Sequence, residues 1–501
     1  MTIRRLGLLA GPGLFLLIQL LVPEEAMPAG ARSVAAVAAM MAILWMTEAL
    51  PIAVTALLPV VFFPLLGVTD IQGVTANYAH HLVFLFLGGF WIAAAMERSD
   101  AHRRIALHVL RIVGSRMDRV ILGFMAATAF LSMWLSNTAT TMMMLPIALA
   151  VTGRLGDRQC GFSRSLLLGI AYGASIGGVA TLIGTPPNAV LAGVAEKMLG
   201  ISIPFWKWML LGLPLSLTMF FVCWWYLTRL CTSLNTEHLG EESTDLLREE
   251  LHALGRLRPQ EKRVLLVFTT VAFLWVFKSL IPLEWIRQLD DSTIAIAGAL
   301  ALFVIPAGTG SNERLLDWPS AVSVPWEVLI LFGGGFALAQ GFQLSGLTEW
   351  IGNRLDFLTG THWLVFVIVI ALVTIFLTEI TSNTATASML LPIVAGLAGG
   401  IFTPLNGFIS PGSFPFSQSI LFILAVVVGG SGTILGPVVG AAIVGTAHIL
   451  AHHDTHFHGE HCGCRYRWHH GRYVYWYNGH WEYYHNGRWY YYVEHAEPAY
   501  Y

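Results

Sequence analysis

The sequence predicts an all-α polytopic membrane protein made of two inverted repeats with broken helices, and three observations carry that prediction. The first is composition: 55% of the 501 residues are hydrophobic and 12% charged, with a mean hydropathy of +0.65. Water-soluble domains carry roughly twice that charge, so most of this chain does not face water. The second is a pair of segments that recur at one fixed offset. The third is a reversal of basic charge between the two copies.

Apolar runs long enough to cross about 30 Å of hydrocarbon, roughly 20 helical residues each, recur along the chain. Spans or half-spans are expected near 6–22, 33–66, 82–97, 120–152, 166–195, 207–228, 263–282, 292–306, 326–342, 363–398 and 417–450. Arg4 and Arg5 precede the first of them, as in a signal peptide. Pro23-Glu24-Glu25 follows instead of a small-residue cleavage site, so a retained span is expected. The net charge of −2 excludes a large basic face for nucleic acid. Among the five cysteines, Cys160, Cys223 and Cys231 stand singly in apolar or membrane-edge sequence, and the set forms no disulfide framework. With no Walker loop and no hydrolase, kinase or redox signature, an enzyme is not expected.

Leu85-Phe86-Leu87-Gly88-Gly89-Phe90 matches Leu331-Phe332-Gly333-Gly334-Gly335-Phe336 at an offset of 246 (331 − 85). The run Phe130 to Ile147, FLSMWLSNTATTMMMLPI, matches Phe376 to Ile393, FLTEITSNTATASMLLPI, at the same offset (382 − 136). Between Glu97 and Arg119 the first copy carries Arg98, Arg103, Arg104, Arg111, Arg116 and Arg119, whereas the equivalent stretch from Gln343 to Val365 carries Arg354 alone. Basic loops stay cytoplasmic, so the two copies are expected to lie with opposite polarity, the plan of many secondary transporters. The polar stretch Asn235 to Arg263 between them reads as a connector, a helix lying at the cytoplasmic surface.

Ser136-Asn137-Thr138 and Ser382-Asn383-Thr384 are polar triplets inside apolar runs. An unbroken helix in lipid needs no such cluster, and Ser, Asn and Thr favour helix N-caps, where their oxygens accept from free N–H groups. Each triplet therefore marks a break between one half-span and the next helix. A helix N-terminus suits a carboxylate, and the neighbouring hydroxyl and amide oxygens suit a hard cation. The bland alternative is glue between packed helices; two triplets in symmetry-related positions favour the first reading. Gly184-Thr185-Pro186-Pro187-Asn188 follows in the first half, after GASIGGVATLIG. Its two prolines remove two backbone donors and break any helix there, freeing carbonyls that can hold an ion.

The SNTAT motifs, the GTPPN motif and the inverted halves, over about residues 1–398, resemble the divalent anion/sodium symporter family, whose members carry succinate, malate, citrate or sulfate. The resemblance implies a homodimer in which a transport domain moves like an elevator against a scaffold. Each triplet would lie at the tip of a re-entrant helical hairpin, the two tips meeting at the substrate. It further implies a first sodium site from Ser132, Ser136, Asn137 and the backbone at Gly184, and a second from Thr378, Ser382 and Asn383. Substrate carboxylates would be held by Ser136, Asn137, Thr138, Ser382, Asn383 and Thr384 and by the Thr185-Pro186-Pro187 turn. No Lys or Arg lies in either triplet segment, so bound sodium ions and helix ends would neutralise the anion. The expected division is 1–70 for N-terminal scaffold spans, 71–234 and 263–398 for the two repeats, and 235–262 for the connector.

The chain departs from the family pattern in its second half. A second Thr-Pro-Pro break is due some 40–50 residues after Asn383, where the sequence reads Val426-Val427-Val428-Gly429-Gly430-Ser431-Gly432-Thr433, while Thr403-Pro404-Leu405-Asn406 comes too early. From about Ala395 to 448 the text resembles the permease of branched-chain amino acid ABC importers, so 399–450 is expected to be a divergent membrane segment. The tail 451–501 changes again: from His448 on, the chain holds eleven of its eighteen histidines, and from Tyr466 on, eleven of its fourteen tyrosines. His452, His453, His456, His458, Cys462 and Cys464 have metal-ligand chemistry at close spacing, yet Cys-Gly-Cys lacks the gap of a zinc pair, and no defined metal site is expected. The repeated RYVYWYNGH and EYYHNGRWYYY suggest either short strands with Asn-Gly turns or no order.

The function expected is sodium-driven symport of a di- or tricarboxylate across the inner (plasma) membrane. The rivals are a sulfate, oxyanion-exporting or proton-coupled relative of the same superfamily, and a hybrid that folds in the membrane without transporting.

Overall fold

Apolar runs become helices in lipid because the backbone must satisfy its own N–H and C=O groups there. The computed structural model describes residues 3–114, 116–152, 160–231, 255–308, 313–354, 372–378 and 382–406, with four strands between 465 and 492. The chain divides into two units, Met1–Ala441 and Ala442–Tyr501.

In the first unit α1 (Ile3–Leu21) pairs with α2 (Ala29–Thr47), and the short helices α3 (Ile52–Ala56), α4 (Leu58–Leu65) and α5 (Ile71–Thr75) follow. The apolar run 33–66 is thus divided: Glu48 enters the left-handed region at φ 45° and ends α2, and Pro51 opens α3. Next come α6 (His81–Arg98), α7 (Ala101–Val113), α8 (Met117–Ser132), α9 (Asn137–Thr152), α10 (Cys160–Ala180), α11 (Pro186–Leu199) and α12 (Phe205–Trp225). The second half supplies α13 (Pro259–Phe277), α14 (Asp291–Val304), α15 (Trp326–Leu344), α16 (Leu347–Arg354) and α17 (Asn383–Asn406). Among the described residues, six helical runs are long and apolar enough to cross a membrane: α1, α2, Ile71–Arg98, Phe205–Cys231, Pro259–Leu280 and α15. Helix α9, which starts at the first triplet, is shorter at 16 residues, as a half-span is, whereas α17 runs for 24.

The two repeats are visible as elements. Asn137 and Asn383, which open α9 and α17, are 246 apart, and so are Ala101 and Leu347, which open α7 and α16. Each repeat lays its glycine-rich helix on the other half of the chain: α6 packs on α14, and α15 packs on α3. Gly88 and its counterpart Gly334 make this possible. A Cβ at Gly88 would come within 2.7 Å of the Ala295 backbone, and one at Gly334 within 2.5 Å of the Ala56 carbonyl oxygen. Between these contacts Phe86 meets Phe332, its own counterpart in the other repeat, edge to face with centroids 4.9 Å apart. Both rings are fully buried in a core shared by α6, α11, α14 and α15.

A second core joins α8, α10 and the end of α12. Gly169, Gly173 and Gly177 fall four apart on the face of α10 that meets α8, the small-residue seam by which membrane helices approach closely. A Cβ at Gly173 would lie 2.9 Å from the Met125 carbonyl oxygen, and one at Gly177 would collide with that of Ala129.

Two expected boundaries shift. The connector 235–262 ends early, because Pro259 at the first helical position opens α13 and Glu261 accepts from the Arg258 N–H at 3.1 Å. The same Glu261 accepts from Arg104 Nε of α7 at 2.8 Å, with both side chains buried. The boundary at 398 falls inside α17, which runs on to Asn406 and takes Thr403-Pro404 into its last turn. The expected span 417–450, most of the connector and the tail ligands His452, His453, His456, His458, Cys462 and Cys464 lie outside the described residues.

In the second unit the β-rich alternative is realised as an antiparallel meander of β1 (Arg465–His469), β2 (Arg472–Tyr477), β3 (His480–His485) and β4 (Arg488–Tyr492). The pairs His469↔Arg472, Tyr477↔His480 and His485↔Arg488 each leave two residues between strands. In the sequence these are His470-Gly471, Asn478-Gly479 and Asn486-Gly487, dipeptides suited to tight hairpins.

Candidate functional site

The break at the first triplet is built from its own residues. Helix α8 ends at Ser132, the chain turns through 133–136, and α9 starts at Asn137. Ser136 caps α9, its Oγ accepting from the Ala139 N–H at 3.1 Å and its carbonyl from the Thr140 N–H at 3.0 Å. Within the turn Trp134 lies edge to face on Phe268 (5.0 Å) and stacks with Phe205 (6.0 Å), which stacks in turn on Trp275 (4.8 Å). The turn is therefore held against α12 and α13 by aromatic packing rather than by lipid.

The second break faces the first. Helix α10 ends at Ala180 and α11 starts at Pro186, with Thr185 extended at φ −145° and ψ 141° and making no side-chain cap bond. Pro186 and Pro187 occupy the first two helical positions, where their missing N–H groups would have had no intrahelical partner. Thr181 Oγ1 donates to the Met133 carbonyl oxygen and so ties this break to the turn before Ser136. Asn188 Nδ2 donates to the carbonyl oxygens of Gly178 (2.9 Å) and Thr181 (2.8 Å), whereas its buried Oδ1 has no partner among the described residues.

Between the breaks lies a knot of oxygens. Ser132, fully buried, donates its hydroxyl to Asn137 Oδ1 at 2.6 Å. A Cβ at Gly178 would come 2.6 Å from that same Oδ1, and one at Gly184 would come 2.5 Å from the Gly178 carbonyl oxygen and 3.0 Å from that of Ser132. Only glycine fits at either place. The donors gathered here are hydroxyl, amide and backbone carbonyl oxygens, with no nitrogen or sulfur ligand among them, which is the chemistry a hard cation takes.

Of the sequence-predicted residues, Ser132, Ser136, Asn137 and Gly184 come together in this knot, with Thr185 and Pro187 buried beside it and Thr138 exposed. Of the second triplet fewer bonds fall among the described residues. Ser382 precedes α17 and its carbonyl accepts from the Thr386 N–H at 2.9 Å; Asn383 is exposed and Thr384 buried. Thr378 Oγ1 turns back onto the Ile375 carbonyl oxygen at 2.9 Å. Helix α17 packs against α11, the helix that starts at the Pro-Pro break. Among the described residues no hydrogen bond joins one triplet to the other.

Sequence reasoning quoted Asn188 only as a letter of its motif and missed its grip on Gly178 and Thr181. It also missed a polar cluster at the N-terminal edge of α6, where His80 and His81 meet Glu196 of α11. Asp290, next to this cluster, is kept below the usual carboxylate range by the His81 ring 3.6 Å away, against the opposing effect of burial.

Residues 42–426 match the family of citrate transporters. The sodium-dependent dicarboxylate transporter of Staphylococcus saprophyticus is 42% identical over 404 residues, covering 78% of this chain and 78% of that protein. That of Staphylococcus aureus strain USA300 is likewise 42% identical, over 405 residues and the same shares. The family match passes the expected boundary at 398 and runs on to 426.

Proposed function

Since the chain belongs to the citrate transporter family, within the divalent anion/sodium symporters, we propose that it carries di- or tricarboxylate anions such as succinate, malate or citrate, driven by sodium. It is a multi-pass protein of the plasma membrane and a transporter rather than an enzyme. The observation that carries the sodium-coupled reading is the oxygen knot of Ser132, Asn137, Gly178 and Gly184 beside two helix N-termini.

In this reading the first sodium ion is held by Ser132, Ser136, Asn137 and the backbone at Gly184, and the second by Thr378, Ser382 and Asn383. The carboxylates bind to Ser136, Asn137 and Thr138, to Ser382, Asn383 and Thr384, and to the Thr185-Pro186-Pro187 turn. Asn137 serves both, since a carboxamide offers an oxygen to the ion and an NH2 to the anion. The first N–H groups of α9 and α11 add donors and partial positive charge. An ion bound between two fixed breaks converts a substrate-repelling carbonyl cluster into an anion site, and this couples the two ligands. Packing of α11 on α17 supports movement of the two motif helices as one body, elevator-fashion; the homodimer rests on the family resemblance alone.

The test is uptake of labelled succinate into proteoliposomes with and without an inward sodium gradient. Accumulation only with the gradient is expected. Uptake that ignores sodium, or that sulfate displaces as readily as citrate does, would overturn the reading in favour of an oxyanion or proton-coupled carrier.

A further inference from the structure

We propose that His80, His81 and Glu196 form a binding site for a divalent transition-metal ion of the zinc class, separate from the transport site. His81 Nε2 lies 2.9 Å and His80 Nε2 3.9 Å from the same carboxylate oxygen of Glu196. One ligand atom from each of the three residues lies within 4.8 Å of the others. Tetrahedral zinc, with bonds of about 2.0–2.1 Å, sets its ligands about 3.3 Å apart, so small side-chain movements suffice to admit an ion. Two imidazoles and one carboxylate are a donor set that zinc, nickel and copper favour over magnesium or calcium.

A second observation, independent of the three ligands, points the same way. Asp290 Oδ1 lies 3.6 Å from His81 Nδ1, on the far side of the ring from Glu196. A carboxylate that receives the other N–H of a ligating imidazole is what fixes ring orientation and tautomer in metal sites. His80 is steadied by Phe336, whose ring centroid is 4.7 Å from its own. Its Nδ1 now accepts a long 3.4 Å bond from the Leu82 N–H; coordination through Nε2 moves the ring proton to Nδ1 and gives that bond up. The site can be reached: the His81 and Glu196 side chains are 39% and 36% exposed, and they line a cavity with Ser202, Lys278, Asp290 and Asp291. The nearby cations do not fill it. Lys278 is bound to Asp291 at 2.6 Å, and Lys197 donates to Asn77.

The ligands come from two elements far apart in sequence, the edge of α6 and the last turn of α11. A bound ion therefore staples the helix of the GTPPN break to α6. Resting on the transport reading above, the consequence is that zinc arrests the cycle by holding α11 in one position.

The experiment measures zinc content at equilibrium, by dialysis and metal analysis, in the purified full-length protein and in its His81→Gln and Glu196→Gln variants. The His-rich tail adds the same background to all three, so wild type is expected to hold one more equivalent than either variant. Asp290→Asn keeps every ligand and is expected to bind zinc about tenfold more weakly, which guards against misfolding of the other two. Zinc should also inhibit sodium-driven succinate uptake by wild type, reversibly with EDTA, and should spare both variants. Equal zinc content in wild type and variants would overturn the site. A difference in zinc content with no effect on uptake would overturn the arrest alone, and absence of uptake before zinc is added would count against the transport reading, with zinc content still deciding the site.

Discussion

Asn137 receives the Ser132 hydroxyl at 2.6 Å on Oδ1 and is packed against Gly178, so its amide is oriented before any ligand arrives. Asn137→Ala is expected to lose about 1.5–3 kcal/mol of binding, the worth of one hydrogen bond to a charged group, or roughly tenfold to a hundredfold in affinity. Succinate uptake near the wild-type rate in a well-expressed Asn137→Ala protein would remove that residue from the site. Asn188 acts differently, by holding the end of α10 closed through Gly178 and Thr181. Its replacement by Ala takes the side-chain donor from the Gly178 carbonyl, at about 1–3 kcal/mol, and leaves the Thr181 carbonyl with the Gly184 N–H alone. A lower melting temperature in detergent and a higher half-saturating sodium concentration should appear together, and a change in only one of them would separate the structural role from the ionic one. The motif letters around both residues were legible in the sequence, because caps and Pro-Pro breaks are local signals. What Asn188 and His81 touch was not, since Glu196 is 115 residues from His81 and no local pattern encodes such a meeting.

The elements show why breaks were easier to read than continuations. Ser136 and Pro186 stop and restart helices by local chemistry, and the structure breaks where they stand. Thr403-Pro404 looks like a third such signal, yet α17 runs through it; a proline in a last turn removes a single backbone hydrogen bond. The seam of α10 on α8 leaves no room at Gly177, so Gly177→Val should force the helices apart and cost about 1–3 kcal/mol, read as a fall in melting temperature. A melting temperature equal to that of wild type would mean that the seam yields more readily than its spacing implies. The polarity of the two repeats can be checked on α7 and α16. Cysteines placed at Arg111 and Asn353, both exposed, in a background without the native five, should react with an impermeant reagent from opposite sides of the membrane. Labelling of both from one side would refute the inversion.

Across the whole molecule the repeats are alike in sequence, and among the described residues they differ in the bonds made at the triplets. At the first triplet Ser132 is bonded to Asn137 and Ser136 caps α9, with a Pro-Pro break behind them, whereas the side chains of Ser382, Asn383 and Thr384 make no hydrogen bond among the described residues. Backbone N–H exchange is therefore expected to be faster over 382–392 than over 136–146. The second sodium site should then fill far more weakly than the first, so that sodium activates uptake without marked cooperativity. Equal protection of the two stretches together with sigmoidal activation would show that the chain beyond 398, which the family match enters as far as 426, supplies a working second wall. The central contact of Phe86 with Phe332 reaches back further than function. On the inverted-repeat reading, a residue that touches its own counterpart stands on the two-fold axis, as in an isologous interface. These rings then preserve the spot at which two copies of a half-length ancestral chain met, one inserted upside down against the other. On that reading duplication and fusion made the meeting an internal one, and both copies carry phenylalanine there in this chain.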